Sequence, residues 1–324
     1  MRQATHYRVQ EGLTMVELMV ALAIGSFLMI GAIQIYNQSR HAFVINESIA
    51  RVQETAQFAM DTIEADLRMA SNWGRTSRGL SIEGRSLQGS PNPKVLAVPL
   101  DCGEDWSIEL GTPVDGFNNN WGLTCAARNG AQLNSDTLTV RRASVNPAPL
   151  QAGRLQIQTT RVQGEIMDDG AVPPTFSPVD SETHNLLVSS YYVDNNSDLV
   201  PGVPTLRRKV LGVQGANSAV IDQEVAPGVE NLQVQFGIDV NGDNTVDRYV
   251  NPGNQIYDPD APGYIAGARV LTARVWLVVR GVSVETGIRD QTIYAPGDVN
   301  LGAINDNFRR MQVSKTILLR NTRI

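Results

Sequence analysis

The sequence predicts an α+β protein, with a long N-terminal helix packed on a β-rich, mainly antiparallel head. Three observations carry that expectation. Residues 13–35 are an almost wholly apolar run without proline, and residues 45–70 repeat apolar side chains at spacings of three and four. Beyond residue 75, apolar and polar residues alternate between turns rich in Gly, Pro and Asn. With 324 residues, 42% of them hydrophobic, the chain can form one large domain or two small ones with buried cores.

Residues 1–12 form a polar leader in which Arg2 and Arg8 favour the cytoplasmic side of a membrane. Leu13 to Ile35 follow, about 23 residues, enough at about 1.5 Å per residue to cross a bilayer. We assign 13–36 to that span. Glu17 stands out within it, because a charged side chain costs up to roughly 3 kcal/mol at a membrane centre and less near the edge. It either snorkels to the headgroups of a plain anchor or meets an opposite charge. Ala21-Leu22-Ala23 has the form of a signal-peptidase site, but the apolar segment before it is short and is broken by Glu17.

The next element, 37–74, reads as an amphipathic continuation of the same helix. Ile45, Ile49, Val52, Ala56, Ala59, Ile63, Leu67 and Ala70 make one apolar stripe, no proline interrupts residues 13–72, and Gly74 supplies a stop. A coiled coil would use a similar stripe, but no second long helix is visible, and the strands downstream need a cover.

Residues 75–324 form the head. Leu232, Val234, Phe236, Ile238 and Val240 alternate with Gln233, Gln235, Gly237 and Asp239, the period of a half-buried strand. Further strands are expected over 95–98, 137–141, 155–162, 186–193, 206–213, 270–282 and 313–320. Ser90-Pro91-Asn92-Pro93, Val172-Pro173-Pro174 and 252–263 read as loops.

Composition removes several functions. The net charge is -6 and the longest basic run is Arg207-Arg208-Lys209, so the phosphate-neutralising patch of a nucleic-acid binder is missing. No HExxH, GxSxG, GxxxxGK[ST] or strand-linked GxGxxG occurs, and no enzyme activity is expected. Cys102 and Cys125 are the two cysteines and lie in no CxxC pair. In an exported head they would close one disulfide worth roughly 3 kcal/mol in the chain-entropy account; the alternative is two buried free thiols.

Gly12-Leu13-Thr14-Met15-Val16-Glu17-Leu18, followed by the apolar helix, resembles the class III leader of type IV pilins and type II secretion pseudopilins. The resemblance implies that a prepilin peptidase cuts between Gly12 and Leu13, that the new N-terminus is methylated, and that Glu17 serves assembly by neutralising a neighbour's α-amine. Arg51-Val52-Gln53-Glu54, Asp66-Leu67-Arg68-Met69-Ala70, Trp73-Gly74, Pro204-Thr205-Leu206-Arg207-Arg208, Gly228-Val229-Glu230-Asn231-Leu232 and Leu318-Leu319-Arg320-Asn321 resemble the PilW-type minor pilins. That implies a subunit priming assembly near a pilus tip, with other minor pilins, the major pilin, a tip adhesin and an inner-membrane assembly platform as partners. It would sit in the inner membrane with its head in the periplasm, and afterwards in the extracellular pilus. A type II secretion pseudopilin, or a membrane-tethered calcium- or ligand-binding ectodomain that never assembles, are the alternatives.

One loop invites a cation. Asp239, Asn241, Asp243, Thr245 and Asp247 place oxygen-bearing groups at every second position, matching positions 1, 3, 5, 7 and 9 of an EF-hand loop for calcium (Ca2+). Position 6 is Asn244 rather than Gly, and position 12 is Val250 rather than Glu. The competing reading is a hairpin tip whose Asn and Asp side chains cap their own backbone.

Overall fold

The computed structural model describes residues 12–86, 94–253, 256–257, 259–261 and 263–322. Leader residues 1–11, with Arg2 and Arg8, and the expected loop Ser90 to Pro93 lie outside them. The chain divides into two compact units, the first ending at Ala50 and the second running from Arg51.

Among the described residues of the first unit the regular structure is one helix, α1 (Met15–Arg68), which continues into the second. Its apolar side chains in the first unit are exposed, Met15 at 84% and Phe27 at 78%, and the helix is long and apolar enough to cross a membrane. In the second unit, Val52, Ala56, Ala59, Ile63 and Leu67 of α1 are buried. The stripe therefore begins later than the spacing suggested: Ile45 is exposed and Ile49 half-buried. Glu64 and Asp66 are buried with the stripe, paired with Lys315 and Arg142, and Asp66 also accepts the Tyr191 hydroxyl at 2.6 Å.

The helix also stops sooner than the expected 37–74 element, at Arg68. Ser71 takes a left-handed φ of 61° and Gly74 one of 88°. A Cβ at Gly74 would lie 2.4 Å from His184 Cδ2, so the close approach as well as the turn requires glycine.

Eight strands make the first sheet: β1 (Ile82–Glu83), β2 (Val114–Phe117), β3 (Thr137–Ala143), β4 (Gln156–Thr159), β5 (Gly164–Met167), β6 (Glu182–Asp194), β7 (Thr205–Gln214) and β8 (Asn217–Pro227). Neighbours run β1-β5-β4-β6-β3-β2, with β7 joined to β6 and β8 to β7; only the short β1–β5 pair is parallel. Next in the chain come β9 (Val229–Asp239), β10 (Arg248–Val250), β11 (Arg269–Arg280), β12 (Ile293–Tyr294), β13 (Gly302–Ala303) and β14 (Arg310–Leu318). The second sheet is antiparallel, in the order β10-β9-β11-β14, and β12 pairs with β13. The α+β class and the mainly antiparallel head are as the sequence predicts.

Three differences have local causes. Residues 95–98 are not a strand; the Ala97 N–H donates to Asp168 Oδ2 at 2.6 Å instead of to a neighbouring strand. The segment from 155 ends as a strand at Thr159, where Thr160 and Gln163 close a turn. Strand β8 was not expected because Asp222 and Glu224 interrupt its apolar pattern. Both are cross-strand partners of Arg207, at 2.6 and 3.1 Å, so the charge of Arg207 on β7 is neutralised by the neighbouring strand.

Two cores result. The larger packs the α1 stripe against Tyr191, Leu206, Val234, Phe236 and Leu277. The smaller gathers Trp73, Ile108, Leu155, Ile157 and Leu186 around Cys102 and Trp106. Cys102 and Cys125 are joined as a disulfide.

Beside the smaller core, Glu109 is 2% exposed and its Oε2 has no hydrogen-bond partner among the described residues. Burial pushes its carboxyl up to about 7 from 4.5, only partly offset by the charge of Arg141. A carboxyl raised on folding holds its proton in the folded state, so its stabilising contribution is complete below about pH 4.5 and is lost as pH rises through about 7. Thermal denaturation is therefore expected to show a head more stable at pH 5 than at pH 8. Glu109 contributes up to roughly 3 kcal/mol of that difference, and Glu109→Gln should flatten the profile by raising the midpoint at pH 8. An unchanged profile in the variant would refute the assignment.

Candidate functional site

The assembly residues lie at the start of α1. Gly12 and Leu13 precede the first helical turn and are exposed. A Cβ at Gly12 would meet nothing within 4 Å, so packing among the described residues does not demand glycine there.

Glu17 stands in the first turn and is held by Thr14. The Thr14 N–H and hydroxyl donate to Glu17 Oε2 at 3.0 and 2.8 Å, and the Glu17 N–H donates to Thr14 Oγ1 at 3.3 Å. This reciprocal capping box satisfies orphan donors of the helix start. Reading Glu17 only as a charge overlooked Thr14, although the spacing Thr-x-x-Glu is itself the signal. The carboxylate also sits at the positive end of the helix dipole. In a single chain, then, Glu17 is locally satisfied, and another subunit's cation would compete with Thr14 for it.

The Asp239–Asp247 loop leaves β9 at its last residue. Asp239 is wholly buried and accepts N–H groups from Asn241 (3.2 Å), Gly242 (2.6 Å) and Asn244 (2.9 Å), besides the Arg269 guanidinium at 3.0 Å. Burial alone would raise its carboxyl, but the backbone donors and Arg269 outweigh it and hold the group below the usual range. Asp243 accepts the Thr245 N–H at 2.8 Å, and Asp247 accepts the Val240 N–H at 2.8 Å. Asn244 adopts φ 62°, the left-handed turn that the sixth loop position needs. Among the described residues, no three or more His, Cys, Asp or Glu side chains converge as a metal site. The expected ligands are therefore neighbours on one turn whose acceptors are largely filled by that turn, and Arg269 stands where a cation would.

The family described as Prokaryotic N-terminal methylation motif matches residues 7–33, and the family described as Type IV Pilus-assembly protein W matches residues 190–321. No curated protein matches. Among solved structures, the type IV-like pilin TTHA1219 from Thermus thermophilus is similar, at 14% identity and a TM-score of 0.29 over 59% of this chain and 80% of that one. A leader motif, an exposed apolar helix and a β-rich head define a pilin-type subunit. Within that class the two family matches support a type IV pilus minor pilin of the PilW type. The methylation motif and the apolar helix of this chain suit a membrane-anchored pilin.

Proposed function

We propose that this chain is a minor pilin that primes type IV pilus assembly near the filament tip, beside other minor pilins and the major pilin and beneath a tip adhesin. A prepilin peptidase cuts behind Gly12 and methylates Leu13. The helix waits in the inner membrane with the head in the periplasm, and an assembly platform moves it into the extracellular pilus. The observation that carries this reading is the pairing of an exposed apolar helix with a carboxylate, Glu17, one turn from the proposed cut. Cleavage creates an α-amine at Leu13. In a bundle of such helices that amine and a neighbour's Glu17 neutralise each other, which makes two charges tolerable in an apolar filament core.

Mass spectrometry of the chain isolated from cells with a working pilus tests it. The expected N-terminus is N-methylated Leu13, and Gly12→Leu should block the cut. An intact leader would favour the unassembled ectodomain, and co-purification with secretion-system components instead of pilus subunits would favour the pseudopilin.

The turn at Asn244 favours a second proposal, for the loop. Calcium replaces the Arg269 guanidinium on Asp239, with side-chain oxygens of Asn241, Asp243 and Asp247 and the Thr245 carbonyl as further ligands. Weak affinity is expected, about millimolar as in extracellular calcium modules. Calorimetry on the detergent-solubilised chain should find tighter binding in Arg269→Met, which removes the competing cation. Equal heats in wild type and Asp243→Ala would refute the site.

A further inference from the structure

Along β11, Ala273, Val275 and Leu277 are buried in the larger core, and Arg274 and Trp276 alternate with them on the opposite side of the second sheet. That side is organised around the arginine. The guanidinium carbon of Arg274 lies 4.0 Å from the centre of the Tyr249 ring, which comes from β10, and 5.7 Å from that of the Trp276 ring. Its Nε donates to Thr316 Oγ1 on β14 at 3.3 Å. Tyr249, Arg274 and Trp276 are each half-buried. Strand β9 runs between β10 and β11, so Tyr249 and Arg274 meet above it. Gly237 is the β9 residue that pairs with Tyr249 on one side and Thr272 on the other. A Cβ there would lie 3.1 Å from Tyr249 Cε1 and 2.2 Å from Thr272 Oγ1, so the glycine leaves the room in which the ring leans over β9.

The charge at the centre has no counterpart in the chain. Arg269, Arg280 and Arg310 of the same sheet each pair with a carboxylate. Arg274 pairs with none among the described residues, and its two terminal nitrogens, the Trp276 indole N–H and the Tyr249 hydroxyl make no hydrogen bond among them. Two rings and a hydroxyl hold the guanidinium in place, and its planar fork fits a carboxylate through two parallel bonds. Around the fork stand further open donors, which suit a ligand rich in oxygen. A peptide main chain finds no footing here, because β9 and β11 are inner strands whose backbone groups are paired with their neighbours. A rigid ring that carries a carboxylate and several hydroxyls does fit.

We propose that Tyr249, Arg274 and Trp276 form a binding site for a carboxylated sugar, the uronate unit of an acidic polysaccharide. Arg274 takes the carboxylate through its two terminal nitrogens, and the Trp276 N–H and the Tyr249 hydroxyl take ring hydroxyls. Thr316 is a positioning residue that fixes the guanidinium. The site is separate from the Asp239–Asp247 loop and does not depend on a place in a filament. One ion pair on an open face sets a weak affinity, about 1 mM.

The test uses the full chain in a polyoxyethylene detergent, which has no sugar headgroup to compete, with EDTA present so that calcium bridges nothing. Trigalacturonate is titrated to about 20 mM by calorimetry, with maltotriose as the neutral control. Saturable heat is expected from trigalacturonate alone. Arg274→Gln should weaken it at least about tenfold with the thermal midpoint held, and Tyr249→Leu should weaken it as well. Arg274→Lys keeps the charge and loses the fork, so it should bind at least about fivefold more weakly; it carries the test if the glutamine variant does not fold. No saturable heat, equal binding of maltotriose, or unchanged binding in the Arg274 variants would each overturn the site. Tighter binding of hexa-aspartate than of trigalacturonate would overturn it in favour of an acidic protein partner.

Discussion

Glu17→Ala is expected to leave the chain inserted and folded while reducing its incorporation into pili by at least about a hundredfold. The asymmetry follows from where the carboxylate acts. Within one chain its described partner is Thr14, and losing that cap costs only about 1 kcal/mol of a helix that the membrane itself supports. Between chains it is the proposed partner of an α-amine that has left water, and removing one member of a buried pair costs about 3–5 kcal/mol. Membrane fractionation should find the variant at wild-type level, with the Cys102–Cys125 bridge intact. Immunoblots of sheared pili should find almost none of it, and wild-type incorporation would dismiss the pairing.

A loss of similar size, in stability rather than assembly, is expected for Arg310→Met. Arg310 opens β14, and its side chain is 1% exposed. It donates to both carboxylate oxygens of Glu230 at 2.6 and 3.0 Å, to Asp290 at 3.3 Å and to Asp306 at 2.7 Å. Burial works against the charged guanidinium, yet Asp306 and Glu230 outweigh it and hold the group protonated far above its ordinary range. Methionine fills similar space but leaves acidic groups facing one another, two of them largely buried, a cost of about 3–5 kcal/mol. For a head of this size that lowers the thermal midpoint by roughly 10 °C. Arg310→Lys should recover part of it, since an ammonium cannot bind Glu230 through two parallel bonds. A change within about 2 °C in the methionine variant would show that the network is solvated.

The parts of this molecule that were legible in the sequence are those whose signal is local. An apolar run, a stripe and an alternation are each read from neighbours within a turn or a strand, so α1 and β9 were visible. The Cys102–Cys125 bridge was also expected, though on a compartment argument. The helix end was not, because Ser71 accepts the left-handed conformation where glycine would have advertised it. Strand β8 was hidden because its acids face the arginine of β7, a pairing without a sequence period. At the loop, spacing identified the turn and left the role of Arg269 unseen, a residue 30 positions from Asp239.

The placement of β14 fixes an order of events in the head's biogenesis. Lys315 on β14 pairs with Glu64 of α1, and Asn321 reaches the Ala70 carbonyl, each contact spanning 251 positions. At a synthesis rate of about 5–20 residues per second, roughly 12–50 s separate the appearance of the two partners. Throughout that interval Val52, Ile63 and Leu67 have no β14 beside them, so the second sheet cannot complete its packing while the chain is still emerging. Folding dominated by such distant partners is slow. The nascent head therefore passes through a stage in which an apolar helix face is open to any nearby surface, and a chaperone or a sister subunit acting on this chain has its window then.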